Sequence, residues 1–397
     1  MTDIELVENV PLSLPLGDSA GRALAGSGVV EATPDLGSAG WWRVRAKNVV
    51  GVAAVRVAGG ETITVRVSPK VPINRLMFLL GYSRSFNGWR DDQVQVDDEP
   101  DLLPVFARVF ALHAEQALQQ GLLKGYREVE ETAQVMRGRI RFSEQVRRHH
   151  GLLVPLEITH DEYTTDVAEN RLIRSACEVL LRLPDGIPGD VRTRLARLKL
   201  RLADVTPVPH GHPLPAWRPN RLNVRYHDAL RVAELVLRGE SVEHRPGEVT
   251  VHGFLFNLAK VFEDFITVAL RDALGQSGGY SVLQASHHLD DRNAIRMVPD
   301  FVHYEADGTP LAVVDAKYKA QRPDGFPDAD LYQMLAYCTA LNLPEGHLVY
   351  AKGNAPHGAH RVRYAGTVLH QHAVDLDQPS AGVLADIRTV AQRLVSS

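Results

Sequence analysis

The chain has 397 residues, of which 45% are hydrophobic and 23% are charged. This composition excludes wholesale disorder, and the length predicts two or three domains rather than one. The formal net charge of −4 excludes strong DNA binding by the chain's average charge alone, so that local basic patches or another subunit would have to hold nucleic acid.

The sequence also limits the cellular setting. Cys177 and Cys338 are the only cysteines, and both lie in apolar helical patterns, which argues against a disulfide framework or a cysteine-rich zinc site. No apolar run reaches the roughly 18 residues that a membrane helix needs. The N-terminal stretch MTDIELVENV is acidic and lacks a signal-peptide core. We therefore predict a cytoplasmic protein that does not enter a membrane.

The sequence pattern of residues 1–150 predicts an α+β module. Apolar and polar residues alternate up to about Val71, as they do in half-buried strands. Two helical patterns follow, and β-like alternation returns from Arg127. We therefore predict a β-rich and helical N-terminal region.

Residues 151–240 predict a mainly helical connecting region. One of its helices is expected to begin with Asp166 as N-cap and Glu169 three residues later, in a capping-box pattern. Residues 241–397 then alternate helix and strand, which predicts an α/β domain built on a mixed sheet flanked by helices. The chemistry is expected in this C-terminal domain.

Two acids and a lysine stand out in the segment MVPDFVHYEADGTPLAVVDAKYKA. Asp315 and Lys317 are two residues apart, so they project from the same face of a strand. Asp300 precedes them across a turn at residues 306–308, and a hairpin would place all three side chains together. Two carboxylates beside an ammonium suit Mg²⁺ and a phosphodiester substrate. The alternative is a salt bridge at the end of a strand.

These residues resemble the PD-(D/E)xK nuclease signature, with Pro299-Asp300 followed by Asp315-Ala316-Lys317. The resemblance implies a restriction-endonuclease-like fold and a further acid on a preceding helix. Glu263 fits that acid, because its position lies on the apolar arc of the helix while Asp264 lies on the polar arc.

Gln333 and Tyr337 match the QxxxY element found in RecB-like members of the superfamily, where it lies near the active site. They are spaced i, i+4 on one helical face. The alternative is a surface glutamine and a core tyrosine.

A second resemblance lies upstream. Residues 120–350 resemble the McrC family, the nuclease subunits of modification-dependent restriction systems, through KGYREVEETAQVMRGRIRF and HDEYTTDVAENRLIRSACEVLL. The resemblance implies an McrB-like AAA+ GTPase ring as partner, with residues 1–150 as the region that docks onto it. It also implies DNA carrying modified bases, of the 5-methylcytosine type, as substrate. The sequence agrees in one respect, since it contains no G-x-x-x-x-G-K-[ST] motif and so predicts no P-loop motor of its own.

The predicted function is therefore a Mg²⁺-dependent DNA endonuclease subunit, with Mn²⁺ as a possible substitute. Glu263, Asp300 and Asp315 would bind the metal, and Lys317 would act on the attacking water or the scissile phosphate. Gln333 and Tyr337 would support the site or the substrate. Two alternatives stay open at this stage. One is a non-enzymatic assembly factor that stimulates the GTPase, and the other is a RecB-like exonuclease.

Overall fold

A computed structural model describes residues 2–57, 60–83, 102–150, 152–183, 186–209, 211–239, 251–275, 277–320, 328–352 and 357–396. The chain forms two compact units. The first unit joins Met1–Pro100 to Leu255–Ser397, and the second unit is Asp101–Phe254. Within the described residues, no helix is long and apolar enough to cross a membrane.

The N-terminal part of the first unit is built from short strands and two helices. In chain order its elements are β1 (Thr2–Val7), β2 (Leu12–Pro15), α1 (Asp18–Ser27), β3 (Glu31–Pro34), β4 (Trp41–Arg45), β5 (Val49–Arg56), β6 (Thr62–Ser68) and α2 (Ile73–Ser83). β1 pairs in parallel with β6, and β6 pairs antiparallel with β5. Strands β2, β4 and β3 form a separate antiparallel sheet.

The second unit combines a small antiparallel sheet with helices. Its elements are α3 (Leu102–Leu118), β7 (Gly125–Ala133), β8 (Arg139–Ile140), α4 (Phe142–His149), β9 (Leu156–Thr164), α5 (Ala168–Arg182), α6 (Gly189–Arg201), a 3₁₀ turn (Val224–Tyr226) and α7 (His227–Gly239). The sheet has the order β7-β9-β8. Helix α5 packs against α6 and α7, and α3 packs against the same two helices. Strand β10 (Val251–Asn257) then leads into the C-terminal part of the first unit.

The C-terminal part of the first unit contains a six-stranded mixed sheet. Its elements are α8 (Leu258–Leu274), β11 (Tyr280–Leu283), β12 (His287–His288), β13 (Arg296–Met297), β14 (Phe301–Tyr304), β15 (Pro310–Ala320), α9 (Asp328–Leu341), β16 (Glu345–Lys352), β17 (His357–Arg361), β18 (Val368–Ala373) and α10 (Ser380–Leu394). The strand order is β11-β14-β15-β16-β18-β17. β15, β16 and β18 run parallel, while the outer pairs are antiparallel.

The apolar run in β15 explains its central place in this sheet. Residues 312–316 are all buried, as expected for a strand that is covered on both faces. On one face Val313, Val302 and Leu348 pack against Met334 and Cys338 of α9. Helices α8 and α9 both contact β15. The predicted fold class is confirmed: an N-terminal α+β part accompanies an α/β part with a mixed sheet flanked by helices.

The compact units differ from the three segments predicted as 1–150, 151–240 and 241–397. Residues 1–100 join the C-terminal part, with α2 packed against α8, and residues 101–150 belong to the second unit. Pairing of β7 with β9 crosses the predicted boundary at residue 150. The roles assigned to the segments stay predictions.

The capping box predicted for α5 is wrong. The N-cap is Val167, without a side-chain cap, and Asp166 instead accepts hydrogen bonds from Thr206 N (2.8 Å) and Thr206 Oγ1 (3.0 Å). Asp166 also pairs with Arg127. The Glu169 carboxylate accepts a hydrogen bond from Asn223 Nδ2 at 2.9 Å. Long-range partners therefore compete successfully with the local capping contacts that the sequence pattern predicts.

Candidate active site

The hairpin of β14 and β15 brings Asp300 to Asp315, as predicted. Phe301 pairs with Val314, so continuing the register places Asp300 beside Asp315. The turn includes Gly308 in the left-handed region (φ 90°), which favours glycine. Asp300 Oδ2 accepts a hydrogen bond from Ala316 N at 2.8 Å. This bond fixes the Asp300 carboxylate against the strand that carries the other two predicted residues.

Asp315 and Lys317 form an ion pair on one face of β15. Asp315 is only 2% exposed, and a fifth of the Lys317 side chain is exposed. The buried Asp315 carboxylate interacts with the Lys317 ammonium and with the side chain of Asp300. A buried carboxylate is costly unless a cation compensates its charge.

Helix α8 supplies Glu263. Asn257 caps the helix, because its side chain accepts hydrogen bonds from Ala259 N and Lys260 N. Glu263 Oε1 accepts hydrogen bonds from Lys260 Nζ (2.7 Å) and from Gln284 Nε2 (2.6 Å). Lys260 also pairs with Asp264 at 3.0 Å. Glu263 is therefore held by Lys260 on its own helix and by Gln284, the residue that follows β11.

Gln284 is a site residue that the sequence did not reveal. Its backbone N donates to Asp300 O at 3.0 Å while its side chain donates to Glu263. The residue lies in the left-handed region (φ 50°), which a non-glycine residue adopts only where surrounding contacts hold it there. A glutamine at the end of a strand has no distinctive spacing, so only the folded chain shows this link between the two acids.

Burial and neighbouring carboxylates raise the pKa of Asp300. Burial, followed by the nearby Asp315 and Glu263 carboxylates, raises the pKa of Asp300 to about 8. Burial also raises the pKa of Asp315. Burial would lower the pKa of Lys317, but the Asp315 and Asp300 carboxylates outweigh it and the net shift is upward. Lys317 therefore stays an ammonium beside a pair of acids that resist double ionisation.

Helix α9 places Tyr337 in the core and Gln333 at the surface. Gln333 Nε2 donates to Tyr337 Oη at 2.7 Å. Burial and then the Asp315 carboxylate raise the pKa of Tyr337, so this phenol lies within the electrostatic reach of the acids. These positions agree with the simpler alternative of a surface glutamine and a core tyrosine. A catalytic role for the pair stays a prediction.

Asp330, also on α9, is a second residue that the sequence did not reveal. It is 5% exposed and binds Lys319 Nζ at 2.9 Å and 3.1 Å. Tyr350 Oη donates to it at 3.2 Å. This network attaches the N-terminal turn of α9 to β15 and β16, next to Lys317.

The donor set fits a hard divalent cation with few protein ligands. In the described part of the chain, no three His, Cys, Asp or Glu side chains converge as a complete metal site. Asp300 and Asp315 do converge, and the Asp315 carboxylate is buried. Mg²⁺ typically takes one or two protein carboxylates together with water and substrate phosphate. Glu263 is engaged by Lys260 and Gln284 in this arrangement.

Similarity to known proteins extends beyond the short motifs. The structure resembles a chain of a Thermococcus gammatolerans complex described as a refined half-complex from a tetradecameric assembly of McrB AAA+ hexamers with bound McrC. The TM-score is 0.62 at 18% identity, covering 99% of this chain and 100% of that chain, and this likeness shows the fold. A chain of the McrBC complex from the same organism aligns with a TM-score of 0.42 at 22% identity, over 69% of this chain and 88% of that chain.

The sequence comparison gives the family. No protein with curated annotation matches the sequence. Residues 44–351 match the family described as McrBC 5-methylcytosine restriction system component. This match spans well over half of the chain and confirms the family resemblance drawn from the sequence motifs. The chain therefore belongs to the McrBC 5-methylcytosine restriction system component family.

Proposed function

We propose that this chain is a metal-dependent endonuclease subunit that cuts DNA phosphodiester bonds within a modification-dependent restriction complex. The observation that carries the proposal is the convergence of Asp300 with the Asp315–Lys317 ion pair, next to Glu263. A strand-end salt bridge alone would need one acid and one base. A salt bridge does not explain Asp300, a second buried carboxyl group whose ionisation is disfavoured by burial and by neighbouring carboxylates.

Each site residue has a role in this proposal. Asp300 and Asp315 would hold Mg²⁺, or Mn²⁺ in its place, with Glu263 contributing. The bound ion would supply Lewis-acid stabilisation of the phosphate and acidify water. Lys317 keeps its proton and presents positive charge to the oxygens of the scissile phosphate, where negative charge grows in the transition state. Gln333 and Tyr337 would support the substrate at the edge of the site.

The proposed partner is an McrB-like AAA+ GTPase ring. Family membership supports this partner, and the absence of a P-loop motif from the sequence agrees with a motor on another chain. The net charge of −4 agrees with a partner that holds DNA carrying modified bases. In this arrangement the chain described here cuts the DNA and stimulates GTP hydrolysis by the ring.

Lys317→Ala tests the nuclease assignment. We expect the variant to lower nicking of circular methylated plasmid, in the presence of the ring, by about 100-fold or more, because positioned charge at a reacting centre commonly contributes that much. GTP hydrolysis by the same mixtures should be unchanged. Wild-type nicking by Lys317→Ala would overturn the assignment. A circular substrate also separates endonuclease from exonuclease activity, since an exonuclease requires an end.

A further inference from the structure

A second polar site lies within the first unit, beyond the carboxyl ends of three parallel strands. A cavity of about 600 Å³ is bounded there by Tyr318, Ala351 and Asp375, which lie at or just beyond the ends of β15, β16 and β18. Loops of the N-terminal sheets form its other wall. In open α/β sheets, ligands commonly bind outside the carboxyl ends of the strands. None of the residues assigned to catalysis lines this cavity.

A rigid polar frame supports the cavity. Glu8 is 1% exposed and accepts hydrogen bonds from Asn9 Nδ2 at 2.9 Å and from Tyr318 Oη at 3.2 Å. Asn9 and Asn48 both adopt left-handed backbone conformations (φ 59° and 52°). Asn9 Nδ2 donates to Asn48 Oδ1 at 2.8 Å, and the backbone N of Asn48 donates to Asn9 Oδ1 at 3.1 Å. Such backbone conformations persist where surrounding contacts enforce them, often at ligand sites. The frame ties the N-terminal loops to β15, one residue beyond Lys317.

Three cationic side chains, Arg45, Lys47 and Lys70, line the cavity beside this frame. Arg45 Nε is buried and donates a hydrogen bond to none of the described residues. Lys47 Nζ is 3.8 Å from Glu31, with both side chains more than half exposed, so that ion pair is weak. Lys70 is exposed, its backbone N donates to Glu8 Oε2 at 3.4 Å, and its ammonium acts to lower the pKa of that carboxyl group. Glu8, Asp375 and Asp377 also line the cavity. An anion would therefore bind on the N-terminal wall, against the three cations.

We propose that this basic cavity, defined by Arg45, Lys47 and Lys70, binds phosphate groups of the DNA strand next to the bond that is cut. The inference rests on the proposed function. Lys319, which also lines the cavity, lies two residues beyond Lys317 on the same face of β15, about 7 Å along the strand. A DNA strand whose scissile phosphate lies at Lys317 would bring its neighbouring phosphates to the three cations. Phosphate contacts of this kind fix the register and orientation of a nucleic acid without reading its sequence.

The salt dependence of DNA binding by the full-length chain tests this inference. Binding of a short duplex would be measured in EDTA, which prevents cleavage, over a salt series that begins at low ionic strength. Each phosphate contact contributes about 0.9 to the slope of log K against log salt concentration. We expect Lys70→Ala to lower the slope by about 1 and the Lys47→Ala/Lys70→Ala pair by about 2. Lys70→Arg should restore the wild-type slope.

Arg22→Ala serves as the matched control, because it removes a positive charge from an exposed side chain on α1, outside the cavity. It should leave the slope unchanged. Thermal unfolding would confirm that all variants fold. An unchanged slope in the double variant overturns the proposal, as would a reduced slope in Arg22→Ala of the same size. Binding of a free mononucleotide that requires Lys70, with no change in the DNA slope, would assign the cavity to a small phosphate ligand instead.

The outcome is separable from that of the nuclease proposal. The salt dependence of binding is measured without cleavage. The nicking of plasmid by Lys317→Ala can be interpreted without knowing whether the cavity binds DNA. If Lys317→Ala cuts normally while the slope falls as expected, the cavity is a DNA phosphate site in a protein whose nuclease assignment is wrong. If Lys317→Ala is inactive while the slope is unchanged, the nuclease stands and the cavity proposal falls.

Discussion

Asp300 is the residue whose protonation is most directly linked to folding. Its pKa of about 8 in the folded protein lies above the ordinary value near 4. Between these two values the folded state binds more protons than the unfolded state does. The free energy of unfolding contributed by this group therefore falls as pH rises from about 4 to about 8.

Asp300→Asn should reveal this linkage. In EDTA we expect the Tm of the wild type to fall from about pH 5 to about pH 8, and that of Asp300→Asn to fall less, because the amide does not ionise. Saturating Mg²⁺ should raise the wild-type Tm most at high pH, where both carboxylates are ionised. Differential scanning calorimetry would measure all three effects. Identical pH profiles for the two proteins would contradict the assigned cause of the shift.

Gln284 is proposed as a positioning residue for Glu263. Gln284→Ala should weaken Mg²⁺ binding by about 10- to 100-fold, the usual effect of removing a residue that orients a metal ligand. In a Glu263→Gln background the same substitution should have little further effect, because the carboxylate it positions is already absent. Isothermal titration calorimetry would give both affinities.

The exposed Gln392 on α10 offers a matched control for that experiment, since Gln392→Ala removes the same side chain far along the chain from the acids. Equal Mg²⁺ affinity in wild type and Gln284→Ala would show that Gln284 has no part in positioning Glu263.

The sequence predicted the residues whose proximity follows from local geometry. Asp315 and Lys317 share a face because strand side chains alternate, and a glycine-containing turn brings Asp300 to them. Gln284 and Asp330 were not predicted, since their contacts join segments that are distant along the chain or depend on a left-handed backbone. Asp166 was misassigned for the same reason, because a distant arginine and threonine bind it.

At the scale of elements, the contact between β16 and α9 has little spare room. A Cβ added at Gly346 would lie 2.4 Å from Cys338 Sγ and 2.6 Å from Met334 Sδ. We expect Gly346→Ala to lower the free energy of unfolding by about 1–3 kcal/mol, the usual cost of overpacking a core. Urea denaturation would measure it.

Gly17→Ala is the comparison for that change, because no atom lies within 4 Å of the added Cβ and the backbone there is ordinary. A Gly346→Ala protein as stable as the wild type would mean that α9 shifts without cost. Since α9 also carries Gln333, Tyr337 and Asp330, plasmid nicking by the same variant would show whether the site follows such a shift.

Most elements were predictable from periodicity, but their boundaries and grouping were not. The sequence FLFNLAKVFEDFITVALRDAL fits a helix that begins at Phe254, whereas β10 continues to Asn257 and α8 begins at Leu258. The local sequence fits either structure over these residues, and the Asn257 cap decides where the helix starts. Grouping of residues 1–100 with the C-terminal part depends on contacts such as α2 with α8, which no local pattern encodes.

At the scale of the whole molecule, the predicted docking region contains an exposed apolar face on α4. Phe142 and Val146 are spaced i, i+4 and are 72% and 65% exposed. Gln145 holds the opposite side of the helix, where its side chain donates to Leu152 O and Pro155 O, both at 2.9 Å. An apolar face presented on a helix anchored in this way is typical of a surface that binds another protein.

We therefore predict that Phe142→Asp/Val146→Asp weakens binding to the GTPase ring by about 10-fold or more, since a buried interface side chain commonly contributes over 1 kcal/mol. Leu200→Asp, at a side chain that is 75% exposed on α6 of the same unit, should bind normally. Metal binding at Asp315 should persist in the α4 variant, because that site lies in the other unit. Co-sedimentation with the ring and Mg²⁺ titration would separate the two effects. If the α4 variant bound the ring as tightly as the wild type, docking would have to be reassigned to another surface, whereas loss of both binding and metal affinity would indicate misfolding rather than a docking defect.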